Sequence, residues 1–207
     1  MDKICADVIR TVYGYDELSI VVNGMSLDVY LSEKTGLSKL KELYPAWGNS
    51  LLCKNESKFI WELLDNQKET LNIPILLCPE DLDLSCIVLV SKTTFSDNRV
   101  CWDKIGCILK DNYDVKKEVQ SGILDVESWS DEDLEKYAGS LAWCNIDDIE
   151  WKLWVSENWD EEKMRRLYNY TYKYYQNDEN IEWYETPKLE FLKEDYLKCL
   201  ERFRKEL

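Results

Sequence analysis

Two uninterrupted apolar runs, Ile73 to Cys78 and Cys86 to Ser91, restrict this chain more than any other feature. Runs this short and this continuous suit central strands covered on both faces of a sheet. Neither approaches the roughly 18 consecutive apolar residues that a membrane helix needs. The segment between them, Pro79-Glu80-Asp81-Leu82-Asp83-Leu84-Ser85, is acidic and reads as their connection.

The flanking spacings fill in the elements. Ile4, Cys5, Val8, Ile9, Val12 and Tyr13 follow a helical period, which predicts a helix over 2–13. Residues 18–31 predict a β-hairpin, because Asn23-Gly24 divides Leu18–Val22 from Met25–Leu31 and tolerates the positive φ values of a two-residue turn. Gly36 to Tyr44 reads as a short helix stopped by Pro45. Phe59, Ile60, Leu63 and Leu64 form a stripe that predicts a helix over 56–68. Asn98–Trp102 and Ile105–Leu109 read as two further strands. From Ser130, an N-cap ahead of Asp131, Glu132 and Asp133, the pattern turns helical, with helices near 131–138, 146–157, 160–176 and 189–206. The fold class expected is α+β. A strand-rich N-terminal half carries an antiparallel or mixed sheet, a helical half follows, and residues 1–207 form one domain with a soft boundary near 111–122.

Charge is distributed unevenly. The chain nets −15, and residues 125–162 set 13 acids against only Lys136 and Lys152, a net of −11. The same stretch holds Trp129, Trp143, Trp151, Trp154 and Trp159, five of the nine tryptophans. Such a balance repels nucleic acid and anionic membrane and attracts basic partners. The first residues carry no basic segment ahead of an apolar one, so no secretory leader is expected and the reading is cytoplasmic.

Much chemistry is excluded by composition. There is no histidine, which removes imidazole-based triads, imidazole-ligated zinc and the usual neutral-pH proton shuttle. No GxxxxGK[ST] or GxGxxG cradle and no Cys-x-x-Cys occurs. The eight cysteines are scattered and read mainly as small buried hydrophobes. Cys78 with Cys86, or Cys101 with Cys107, could still meet in space as a thiolate site. The expectation is no cofactor, no metal and no enzymatic activity. The alternative is a metal-dependent hydrolase built on Asp81 and Asp83 or on Asp147, Asp148 and Glu150. A non-enzymatic adaptor is the third possibility.

The helix near 146–157 is apolar on two sides. Ile146, Ile149 and Leu153 share one, and Trp151, Trp154 and Val155 share another at about 100° per residue. Such a helix is either sandwiched in a core or presents one side to a partner. Tryptophan anchors binding surfaces, and surrounding acids receive Lys and Arg. The partner-binding residues expected are therefore Asp147, Asp148, Glu150, Trp151, Trp154, Glu157, Asp160 and Glu161.

Leu76 to Cys86, followed by Trp102-Asp103-Lys104-Ile105-Gly106, resembles stretches of small bacterial immunity-type proteins. The acidic second half, rich in Trp and Tyr, is similar in style to immunity proteins of contact-dependent and polymorphic toxin systems. The resemblance implies an acidic protein that neutralises a cognate basic, nuclease-like toxin domain by direct binding. It carries over no individual residue and no particular fold.

Overall fold

The N terminus pairs as a strand where its spacing predicts a helix. A computed structural model describes residues 1–11, 14–48, 51, 54–110 and 159–207. Strand β1 (Ile4–Arg10) runs antiparallel to β2 (Asp16–Val22), from Ile4 opposite Val22 to Arg10 opposite Asp16. Ile4 is the one buried residue of β1, and Val8 is 49% exposed. With so little apolar side chain committed, β-branched preference and backbone pairing decide the conformation.

The turn after β2 forms as expected. Asn23 and Gly24 have φ of 53° and 84°, and Val22 pairs with Met25. The second strand is shorter than the alternation predicts. It stops after β3 (Met25–Ser26), and helix α1 (Leu27–Thr35) follows. Leu27, Tyr30 and Leu31 lie at helical spacing and are buried together. Asp28 is buried with them because its Oδ2 accepts the Glu42 N–H at 2.8 Å. The helix expected over 36–44 is reduced to a 3-10 turn at Ser38–Leu40, and Tyr44–Pro45 form the edge strand β4. An edge position tolerates a proline without an N–H.

The two apolar runs are neighbours in a second sheet, as expected. After α2 (Lys54–Asp65), β5 (Leu71–Leu77) is buried at every position and pairs antiparallel with β6 (Val88–Phe95). Residues 99–108 form one ten-residue strand, β7 (Arg99–Ile108), where the sequence predicts two. It stays continuous because a register irregularity opposite Lys92 and Thr93 absorbs the break in pattern. Beyond β7 lie two short strands on the same edge: β8 (Ile181–Trp183) against Gly106–Ile108, and β9 (Leu189–Leu192) against Arg99–Trp102. The order is β4-β5-β6-β7-β8, with β9 also on β7 and every pairing antiparallel.

Helices cover this framework. Phe59, Ile60, Leu63 and Leu64 of α2 are buried, as their stripe predicts. The last helix, α4 (Lys193–Arg204), begins after β9, so the helix predicted from 189 starts four residues late. It buries Tyr196, Cys199, Leu200 and Phe203. Trp47 sits edge-on to Trp102, Tyr196 and Phe203, with ring centroids 6.2, 5.8 and 5.8 Å apart. Its Nε1 donates to the Pro74 carbonyl at 2.8 Å, beside the irregularity between Pro74 and Leu76.

By contacts the chain divides into two units, residues 1–110 with 178–207, and residues 111–177. The elements above belong to the first. In the second, α3 (Trp159–Gln176) matches the helix predicted over 160–176, with Thr171 and Tyr175 buried. The helices predicted at 131–138 and 146–157 lie outside the described residues. The architecture is thus mixed, with antiparallel sheets, strands dominating the first half and helices towards the C terminus. Among the described residues no helix is long and apolar enough to cross a membrane.

Candidate functional site

The acidic, tryptophan-rich stretch lies within a single excursion from the second sheet. Ile108 at the end of β7 pairs directly with Ile181 at the start of β8, and the Leu109 N–H donates to the Asn180 carbonyl at 2.8 Å. The chain therefore leaves one strand and returns on its neighbour after residues 109–180, a connection of 72 residues. Antiparallel neighbours need only two to five residues to connect them. Of the residues expected to bind a partner, Asp147, Asp148, Glu150, Trp151, Trp154 and Glu157 lie outside the described residues. Asp160 and Glu161 fall in the first turn of α3.

A second place with concentrated chemistry is the connection between β5 and β6. The hairpin register puts Leu77 opposite Val88, and the Cys78 N–H donates to the Ile87 carbonyl at 2.9 Å. Cys78 and Cys86 are therefore brought across from one another. The chain between them coils back, with the Leu82 N–H on the Cys78 carbonyl at 3.2 Å and Leu82 at a φ of 49°. This returns Asp81 to the thiols: the two Sγ atoms and an Asp81 oxygen all lie within 4.8 Å of one another. The other thiol pair the sequence allows does not form. Cys101 and Cys107 are six residues apart along one strand, roughly 20 Å. Asp83 Oδ1 accepts the Ser85 N–H at 2.8 Å and the Ser85 hydroxyl at 2.7 Å.

Two ionisable residues that the sequence does not single out clamp this connection. Glu56, in the first turn of α2, accepts the Leu84 N–H at 3.1 Å through Oε2. Lys110, just past β7, donates from Nζ to the Leu84 carbonyl at 2.5 Å. Burial pushes the Glu56 carboxyl up to about 7, helped by Asp83 and opposed by the Leu84 N–H and Lys110. Burial also brings the Lys110 amine down to about 8, against the pull of Cys107, Asp83, Glu56 and Cys86. The Cys86 thiol is raised to about 12 by burial and by its hydrogen bonds with Asp81 and Cys78. A glutamate early in a helix and a lysine after a strand are ordinary surface features in a sequence, so only the fold shows that both face inward. The remaining described cysteines are free: Cys199 is buried, Cys101 and Cys107 are half-buried, and Cys5 is exposed.

Among the described residues, those that could hold an ion are thus Cys78, Asp81 and Cys86, and Lys110 lies within electrostatic range of Cys86. No family model, no curated protein and no solved structure matches the chain.

Proposed function

We propose that this chain is an acidic, non-enzymatic binding protein of the cytoplasm that neutralises a basic, nuclease-like toxin domain, as immunity proteins do. The observation that carries the reading is topological. Strands β7 and β8 pair directly, and that pairing by itself needs none of the 72 residues between them. Long connections that a scaffold does not need are where binding and catalysis concentrate. Within this one, residues 125–162 net −11 of the chain's −15 and hold five of the nine tryptophans.

The physics of recognition follows from that composition. Lys and Arg that a nuclease uses for phosphates meet carboxylates at Asp147, Asp148, Glu150, Glu157, Asp160 and Glu161. Trp151 and Trp154 supply the apolar anchors of the contact. Net charge steers the encounter, so association slows as salt screens it over about 8–10 Å. The test is co-purification with the product of the neighbouring gene, followed by calorimetry. Loss of binding on combining Trp154→Ala with Asp147→Lys supports the reading, and unchanged affinity rejects this surface.

A further inference from the structure

We propose that Cys78, Asp81 and Cys86 form a binding site for one thiophilic divalent cation of the zinc class. The proposal is independent of the partner-binding reading and concerns the connection between β5 and β6.

Three observations carry it. The donor set is two sulfurs and one carboxylate oxygen, with all three atoms within 4.8 Å of one another. Bonds of about 2.3 Å to sulfur in a tetrahedral arrangement place two sulfurs roughly 3.8 Å apart, so closing on an ion moves each donor by about 1 Å or less. The convergence is also built by the backbone: Cys78 is buried, Cys86 is half-buried, and the turn carries the exposed Asp81 back to them. The Cys78 N–H on Ile87 and the Leu82 N–H on Cys78 fix the loop, and Glu56 and Lys110 clamp it at Leu84. Finally, the charges balance. Two thiolates and a carboxylate around a divalent ion leave one net negative charge, and Lys110 stands close enough to interact electrostatically with Cys86. Three protein ligands leave the fourth position to a water.

Binding is a displacement in which each step balances. The two thiols release two protons to solvent as two metal–sulfur bonds form, and Asp81 adds its oxygen without losing a proton at neutral pH. Because two protons leave as the ion binds, affinity rises with pH. The ion ties both ends of the connection together and fixes the acidic hairpin against α2.

The experiment is a cobalt titration of the reduced full chain, with zinc as competitor. One equivalent should produce sulfur-to-cobalt charge transfer and the intense visible bands of a tetrahedral ion, and zinc should erase both. Cys78→Ser with Cys86→Ser should abolish the spectrum. Asp81→Asn should weaken binding at least tenfold, and Cys101→Ser with Cys107→Ser should leave it intact. No stoichiometric spectrum from the unaltered chain, or the same spectrum from the Cys78/Cys86 double variant, overturns the site. A second readout needs no variant: cadmium should slow alkylation of Cys86, mapped by mass spectrometry. Equal alkylation with and without cadmium, or a Cys78–Cys86 disulfide forming equally fast in both, also overturns it.

Discussion

Glu56 and Lys110 hold the two backbone polar groups of one residue, Leu84: the acid takes its N–H at 3.1 Å and the amine donates to its carbonyl at 2.5 Å. Helix α2 and the end of β7 are thereby joined through the connection between β5 and β6. Both ionisable groups are drawn towards their neutral forms by burial, the carboxyl up to about 7 and the amine down to about 8.

A pH dependence of stability follows. Between about 4.5 and 7 the unfolded chain ionises Glu56 while the folded chain keeps the proton, so this residue's contribution falls as pH rises. Between about 8 and 10.5 the folded chain gives up the Lys110 proton first, so stability recovers. Urea denaturation across this range should show Glu56→Gln losing the acid-side slope relative to the unaltered chain. Gln still offers Leu84 an acceptor, so the difference isolates the titration. Parallel curves for the two proteins between pH 4.5 and 7 would contradict the assignment.

Trp47→Phe removes the donor to the buried Pro74 carbonyl and part of the ring packed on Trp102, Tyr196 and Phe203. Leaving that carbonyl unsatisfied costs about 1–3 kcal/mol, with packing loss added. The denaturation midpoint should fall accordingly, with no change in its slope.

Gly106 is required by its neighbour strand. A Cβ there would stand 2.6 Å from the Glu182 carbonyl oxygen and 2.7 Å from the Ile181 side chain. Gly106→Ala should cost roughly 1–3 kcal/mol, the usual range for overpacking. Amide exchange should accelerate first at Ile181–Trp183, the strand that must move away.

These residues also show what a sequence can disclose. Strands β5 and β6 are readable because both of their faces are buried, which forces a continuous apolar run. Strand β1 is misread because its side chains stay mostly wet, so its few apolar residues fit a helical period as well. Helix α1 is misread because Leu27, Val29 and Leu31 alternate, while the stripe that counts is Leu27, Tyr30 and Leu31. The meeting of Cys78 with Cys86 depends on hairpin register, which places Cys78 opposite Ile87 and which spacing alone does not specify. The inward facing of Glu56 and Lys110 has no sequence signal, because burial of a charge is decided by what packs on it. Asp147 to Glu157 were legible as a charged, indole-rich pattern, and they lie outside the described residues.

The central claim is that the excursion between β7 and β8 grips a cationic protein. The most direct measurement is calorimetric affinity for the neighbouring gene's product, comparing two charge reversals of equal size. Asp147→Lys with Asp148→Lys, inside the excursion, should weaken binding at least tenfold. Glu33→Lys with Glu69→Lys, at exposed positions on the sheet unit, should change it by less than about threefold, the share expected from lost steering alone. Equal losses from the two pairs, or none from either, would contradict the claim.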